Sequence, residues 1–268
     1  MKDKHYGALD GLRVIAAVGI IMMHMLVNNN YDLKNAIITQ DINMLTNLVF
    51  LFMMISAFGL CCGYYNKVRN NQFSLHNFYS KRYKKILPFF TLLVCIDLIL
   101  THSIGALIEG FADLTLVFGF LPECGNIKVI GVGWFLGVVF IFYMIFPFYC
   151  YLIENKTKAW VVLIISLIFN YVAEFYFGVE RENILFCSPY FIMGGILFLY
   201  KDTIAQFANK FRHILLIGCL LLSIVYFGFG ANTIIILLTC IMYISYALGV
   251  LWSSFFVTLP PNFLRLRL

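Results

Sequence analysis

The chain has 268 residues, of which 62% are hydrophobic and only 12% are charged. About a quarter of the residues in a soluble domain are charged, so this composition excludes an ordinary soluble protein and predicts a polytopic membrane protein. The formal net charge of +6 does not indicate nucleic-acid binding, because the basic residues lie in alternate loops between apolar runs, as membrane topology requires.

The first apolar run, residues 8–27, places an arginine and a histidine inside a predicted transmembrane helix. Arg13 and His24 are separated by about three helical turns, so both side chains are expected on one face, about 16 Å apart along the axis. An arginine persists within a bilayer only if it is paired, reaches the interface or lines a wet cavity. Arg13 could bond to Asp10 near the cytoplasmic surface, and His24 could be a packing residue. The alternative is a shared polar cavity in which both act.

Seven further spans are predicted from the apolar runs. They cover residues 44–65, 86–102, 131–152, 159–178, 184–200, 214–230 and 233–257. The segment 66–85 carries six basic residues and is predicted to be a cytoplasmic loop. Residues 103–130 contain an apolar patch too short for a span, which predicts a surface-lying or re-entrant segment. The expected fold is an all-α transmembrane helical bundle of about eight spans, one domain of residues 1–268 with both termini cytoplasmic.

Three further ionisable side chains lie within predicted spans, where each is a functional candidate because charge in lipid is costly. Asp97 and His102 are about 140° apart on the third span and are not expected to face the same neighbour. Asp97 is expected to balance Arg13 or to accept a hydrogen bond from a neighbouring hydroxyl. Glu174 lies near the outer end of its span. The eight cysteines have no spacing typical of zinc or of a disulfide framework, so no metal is predicted.

The stretch LDGLRVIA, residues 9–16, together with the spacing of Arg13 and His24, resembles the opening helix of the acyltransferase-3 family of integral membrane acyltransferases. The resemblance implies that both residues are required to move an acyl group, usually acetyl, from acyl-CoA to a hydroxyl of a glycan or another acceptor. A neutral imidazole is a suitable general base for that hydroxyl, whereas a guanidinium does not deprotonate. We therefore expect His24 to be the base and Arg13 to position or stabilise the donor.

Two later segments are similar to other elements of this family. Residues 49–60, VFLFMMISAFGL, have Ser56 and Ala57 where the family commonly has Ser-Gly, and such a small pair favours close helix packing over catalysis. Residues 133–147, GWFLGVVFIFYMIFP, match a further element but have Val139 where many members carry glutamate. No acid or base role is therefore assigned to that position.

The basic stretch FYSKRYKKILPFF, residues 78–90, resembles the segment that enters the third helix in this family. An acyl-CoA donor is anionic, so Lys81, Arg82 and Lys85 are assigned to its phosphate groups, with Arg82 favoured. Two alternatives stay open: the basic residues only fix the topology, or they bind anionic lipid headgroups.

The resemblance implies a membrane-bound O-acyltransferase that moves an acyl group, most simply acetyl, from acyl-CoA to a hydroxyl of a cell-surface glycan or a related acceptor. The resemblance implies a bacterial plasma membrane, with the bilayer, acyl-CoA and a hydroxyl acceptor as partners, and neither a metal nor nucleic acid. One alternative is a carrier in which Arg13, His24, Asp97 and Glu174 line a path for an anion or a sugar lipid. The other is an inactive, truncated relative, because members of the family continue with further helices beyond the point where LPPNFLRLRL ends this sequence.

Overall fold

The computed structural model describes residues 6–28, 36–115, 133–230 and 232–249, and all regular structure within them is helical. The helices are α1 (Gly7–Asn28), α2 (Ala36–Met44), α3 (Leu48–Leu60), α4 (Asn66–Arg69), α5 (Leu75–Thr101), α6 (Ile104–Thr115), α7 (Trp134–Leu152), α8 (Lys156–Phe177), α9 (Ile184–Leu199), α10 (Lys201–Lys210), α11 (Arg212–Phe229) and α12 (Thr233–Gly249). A 3₁₀ turn, Leu45–Asn47, joins α2 to α3, and a π-helical turn, Cys61–Tyr65, joins α3 to α4. The prediction of an all-α membrane protein is confirmed.

Five of the described helical segments are long and apolar enough to cross a membrane. They are Gly7–Asn28, Ile38–Arg69, Trp134–Leu152, Lys156–Phe177 and Arg212–Phe229. A sixth is obtained if α9 and α10, which are bent by 75° at their junction, form one broken span. The predicted spans 86–102 and 233–257 correspond to α5 and α12, but residues 250–257 lie outside the described residues. Eight crossings and the cytoplasmic position of both termini therefore stay predictions.

The helix α5 begins earlier than the sequence analysis predicted, so the interpretation of residues 66–85 as a loop is wrong. The helix α4 reaches Arg69, and α5 begins at Leu75. The hydroxyl oxygen of Ser74 accepts a hydrogen bond from the backbone amide of Asn77, which satisfies one of the amides that have no partner within the helix. Lysine and arginine are good helix formers, so the basic residues extend the helix instead of forming a loop.

The described residues form two compact units, and the first contains those up to position 63 and those from 193 onward. In this unit α1 packs against α2, α3 and α12, while α12 also packs against α10 and α11. The short link between α11 and α12 predicted that they are antiparallel neighbours. They do contact each other, and the hydroxyl groups of Ser223 and Tyr243 share a hydrogen bond of 2.7 Å between them.

Small residues allow close helix packing within the first unit. Gly194 of α9 lies directly against the backbone carbonyl of Met54 of α3, and a Cβ atom at position 194 would be 2.8 Å from the Cβ of Ala57. Gly249 of α12 lies in the same way against Ala208 of α10. The packing role predicted for the small pair of α3 is therefore confirmed at Ala57.

The second unit, residues 64–192, has a core of packed aromatic rings. Phe142 of α7 stacks on Phe191 of α9, with 4.0 Å between the ring centres. Phe78 of α5 stacks on Phe146 of α7 at 5.6 Å. Stacked ring pairs contribute beyond the area that they bury, so these contacts join three helices through one aromatic core.

The helix α6 covers the first part of the predicted surface-lying or re-entrant segment and packs against α5. Its buried Gly110 lies close to α5, because a Cβ atom there would be 2.9 Å from Cγ1 of Val94. The neighbouring residue, Phe111, is exposed. Residues 116–132 of this segment lie outside the described residues.

Large apolar side chains cover the outer surfaces of α8 and α11. In a soluble protein so many exposed apolar residues on adjacent turns would be unfavourable, whereas they are well solvated by lipid chains. The exposed residues include Ile164, Ile168, Phe169, Phe175, Ile217, Leu220, Leu221 and Ile224.

An ionic cluster closes the turn between α7 and α8 in the second unit. The carboxylate of Glu154 accepts a hydrogen bond of 2.6 Å from the guanidinium of Arg69 and another from Lys158. The hydroxyl of Tyr65 donates to the backbone carbonyl of Glu154 at 2.8 Å. The hydrogen bonds from Lys158 and Arg69 hold the pKa of Glu154 below its ordinary value of 4.5.

We expect Glu154→Gln to lower the thermal unfolding midpoint modestly at neutral pH. A carboxylate with a lower pKa in the folded protein stabilises it above the unfolded pKa, and this contribution is lost as the pH falls through the folded pKa. The difference from the wild type should therefore begin to shrink as the pH falls below about 4.5, and it should disappear only below the lower pKa of Glu154 in the folded protein. The unfolding midpoints of the detergent-solubilised proteins are measured as a function of pH, with intrinsic fluorescence as the signal. The control is Glu180→Gln, which changes an exposed carboxylate in the turn before α9. Identical midpoints for Glu154→Gln and wild type at neutral pH would contradict the expectation.

Candidate functional site

Arg13 and His24 lie on one uninterrupted helix, α1, so their spacing places both side chains on the same face, as predicted. Both side chains are half-buried in the first unit, whereas Val14, Ile15 and Met25 beside them are exposed. The two polar groups therefore lie at the border between the buried and the exposed faces of α1, and the apolar residues between them lie on both faces.

The guanidinium of Arg13 is held at the N-terminal end of α1. Its Nη1 atom donates a hydrogen bond to Oδ1 of Asp10, which is the pairing that the sequence analysis gave as one alternative. Its Nη2 atom lies 3.5 Å from the position that a Cβ atom of Gly59 would occupy, so the absence of a side chain on α3 leaves room for the guanidinium. The Arg13 side chain is still 32% exposed, which leaves it able to contact a ligand.

Aromatic rings and a second ion pair lie at the same end of the first unit. Tyr6 contacts Phe58 edge to face at 5.4 Å, and Phe58 contacts Phe198 at 6.5 Å. The ammonium group of Lys201 lies 4.4 Å above the ring of Phe198 and 3.7 Å from the carboxylate of Asp202. Burial raises the pKa of Tyr6, so its hydroxyl is neutral at physiological pH.

The second half of α1, which carries His24, packs against the junction of α2 and α3. Gly19 is buried there, and a Cβ atom at this position would lie 2.6 Å from Cδ1 of Leu48. His24 follows slightly more than one turn later on α1. Its position is therefore fixed by the way in which α1 contacts this junction.

Two polar residues that the sequence analysis missed hold the same junction. The hydroxyl of Tyr226 in α11 donates to the backbone carbonyl of Met44 at 2.5 Å and accepts a hydrogen bond of 3.2 Å from the side-chain amide of Asn47. These bonds satisfy polar groups where the helix changes to a 3₁₀ turn inside a predicted span. The sequence did contain a signal for these two residues, because Asn47 and Tyr226 are polar residues inside apolar runs.

In the second unit Arg82 lies among three aromatic rings. Its guanidinium carbon is 5.2 Å from the ring centre of Phe78, 5.3 Å from that of Tyr143 and 5.5 Å from that of Tyr64. Its Nε atom is buried and has no hydrogen-bond partner among the described residues. Within the described residues, the charge of Arg82 is therefore stabilised by ring faces and not by a carboxylate.

The other two residues assigned to the donor phosphates have different surroundings. Lys81 and Lys85 are both exposed, one turn apart on α5, whereas Arg82 is half-buried. The three side chains are on one short segment of helix, and Arg82 contacts the three rings.

A family model described as an acyltransferase domain, that of acyltransferase-3, matches residues 6–268. The chain belongs to the acyltransferase-3 family. This is a family of membrane acyltransferases, which agrees with the long apolar helices of the chain. Comparisons with curated proteins and with solved structures gave no match.

The sequence analysis noted that many members of the acyltransferase-3 family carry glutamate where this chain has Val139. Val139 is buried in α7 and is 5% exposed. The same helix begins with Trp134, whose ring lies 5.6 Å from the guanidinium carbon of Arg181. The side chain at position 139 is therefore buried and apolar, and it supplies no ionisable group.

The other ionisable residues of the predicted spans lie in the second unit. The carboxylate of Asp97 accepts a hydrogen bond of 3.4 Å from the hydroxyl of Thr101, which confirms the neighbouring hydroxyl as its partner. His102 has a left-handed backbone conformation, with φ of 49°, and ends α5. Glu174 is exposed near the end of α8.

In the described part of the chain, no group of three or more His, Cys, Asp or Glu side chains is placed to hold a metal ion.

Proposed function

We propose that this member of the acyltransferase-3 family transfers an acyl group, most simply acetyl, from acyl-CoA to a hydroxyl of a cell-surface glycan in a bacterial plasma membrane. The observation that carries the proposal is that Arg13 and His24 share one half-buried face of a single membrane helix. Ionisable groups at membrane depth are costly, and two on one face are best explained by a shared function.

In the proposed reaction His24 accepts the proton of the acceptor hydroxyl as its oxygen attacks the thioester carbonyl. A carbon–oxygen bond forms, the carbon–sulfur bond breaks, and the electron pair of that bond leaves with the sulfur of CoA. The imidazolium then returns the proton to the thiolate. His24 is thereby restored to its neutral form for the next acceptor.

Arg13 has a different role in this proposal, because a guanidinium keeps its proton at all accessible pH values. The two side chains are about 16 Å apart along α1, so Arg13 acts on another part of the donor and not on the carbonyl under attack. Its partly exposed charge, shared with Asp10, would orient the anionic donor.

The phosphate groups of the donor are assigned to Lys81, Arg82 and Lys85. Arginine and lysine form strong, charge-assisted hydrogen bonds with phosphate, and arginine does so through two parallel donors. The support is strongest for Arg82, since within the described residues its guanidinium contacts aromatic rings and has no acidic partner.

The proposal is tested with membranes that contain the full chain and acetyl-CoA labelled in the acetyl group. We expect alkali-labile label on the surface glycan, whereas membranes without the chain and reactions with labelled free acetate should give none. Absence of label, with the protein present in the membrane, would contradict the proposal. Uptake of an anion or a sugar lipid into sealed vesicles would then support a carrier.

A further inference from the structure

The ring of Tyr64 is close to two positively charged side chains of the second unit. The ammonium nitrogen of Lys67 is 5.4 Å from its ring centre, and the guanidinium carbon of Arg82 is 5.5 Å from it. Two groups this close to one ring can be no more than about 11 Å apart. Tyr64 belongs to the π-helical turn Cys61–Tyr65, a kind of turn that is frequent at functional sites.

Neither of these two cations is neutralised within the described residues. Lys67 is exposed and Arg82 is half-buried, and the ion pairs of the second unit include neither of them. Arg69, on the same short helix as Lys67, differs from both because its guanidinium forms an ion pair of 2.6 Å with the carboxylate of Glu154. Two like charges near one ring repel each other, and a bound anion would remove that repulsion.

We propose that Lys67 and Arg82 form one phosphate-binding site, in which Tyr64 is a positioning residue that holds both cations. The inference rests on the proposed function, because the expected phosphates are those of the acyl-CoA donor. Arg82 offers a planar pair of donors and Lys67 a flexible point charge, a combination that suits a diphosphate or a phosphate monoester. An anionic phospholipid headgroup has the same chemistry and is the second source that the experiment distinguishes.

The test measures binding of unacylated CoA to the full chain in nanodiscs of neutral lipid, so that no turnover is needed. We expect Lys67→Gln to weaken CoA affinity about tenfold and to reduce its salt dependence, since one phosphate contact is lost. Lys84→Gln is the matched control, because Lys84 is an exposed lysine of the same basic stretch and is expected to change affinity less than about twofold.

The outcomes separate this inference from the proposed function. CoA binding that is insensitive to Lys67→Gln, or equally weakened by Lys84→Gln, would overturn the site and leave the acyl-CoA donor intact. Absence of CoA binding by the wild type, with retention of an anionic phospholipid that depends on Lys67, would support the site with lipid as the source and overturn the donor. If neither CoA binding nor phospholipid binding depended on Lys67, the proposed site would be overturned altogether.

Variants at Tyr64 test its positioning role. Tyr64→Phe keeps the ring face and is expected to bind CoA as the wild type does, whereas Tyr64→Leu should weaken binding as Lys67→Gln does. A purely structural role would instead be seen as a similar loss of the thermal unfolding midpoint in both variants. Equal CoA affinity of Tyr64→Leu and wild type would overturn the positioning role.

Discussion

His24→Ala is expected to lower the rate of acyl transfer at least about a hundredfold, because general base catalysis by a positioned side chain contributes that much or more. The substitution removes the one proposed group on α1 that can accept and return a proton at physiological pH. Arg13 cannot replace it, since its guanidinium stays protonated and lies about three turns away. The wild type and His24→Ala are compared by the rate of label transfer from acetyl-CoA in membranes that contain equal amounts of each protein.

Two control variants separate the base from the packing residue that His24 could also be. His24→Gln keeps a polar side chain of similar size but cannot act as a base, so it should be as inactive as His24→Ala. His76→Ala removes an exposed histidine from the first turn of α5 and should retain full activity. All three proteins should have thermal unfolding midpoints close to that of the wild type.

A retained transfer rate in His24→Gln would remove His24 from the proton transfer, even if His24→Ala were inactive. In that case its half-buried position on α1 would be structural, and the proposed mechanism would lack its base. A lower unfolding midpoint in both variants, together with the loss of transfer, would indicate the same structural role.

Much of the fold could be predicted because its strongest signals are local. A run of apolar residues long enough to span a bilayer is visible without knowledge of its neighbours, and α1, α7, α8 and α11 begin and end within a few residues of the predicted spans. The shared face of Arg13 and His24 needs only the geometry of a helix. The start of α5 was missed because a high charge density was interpreted as a loop, although Ser74 provides a helix cap.

The contacts that surround the candidate site could not be predicted in this way. Tyr226 bonds to Met44 and Asn47, which are far from it in sequence, and only the packing of α11 brings them together. Arg82 was selected as a donor-binding residue from its basic segment alone. Two of its three aromatic neighbours come from the π-helical turn and from α7, and no periodic pattern indicates which rings enclose it.

Gly194→Ala is expected to destabilise the first unit by about 1–3 kcal/mol, the usual range for adding a methyl group to a tightly packed position. The added Cβ would collide with the backbone carbonyl of Met54 and lie 2.8 Å from the Cβ of Ala57. A backbone carbonyl cannot rotate away as a flexible side chain can. Helices in lipid associate mainly through close packing, so a separation of α3 from α9 is not offset by a hydrophobic gain.

Gly228→Ala is the matched control, since a Cβ atom at this position of α11 meets nothing within 4 Å. Alanine is the better helix former by up to about 1 kcal/mol, so this variant should be as stable as the wild type or more so. The measurement is thermal unfolding of both purified proteins in the same detergent. If Gly194→Ala unfolded at the temperature of Gly228→Ala, the approach of α9 to α3 would not be a tight contact. A lower midpoint for Gly194→Ala alone would show that the small residues at 57 and 194 are required for packing, and that the Ser-Ala pair of α3 has no need of a catalytic role.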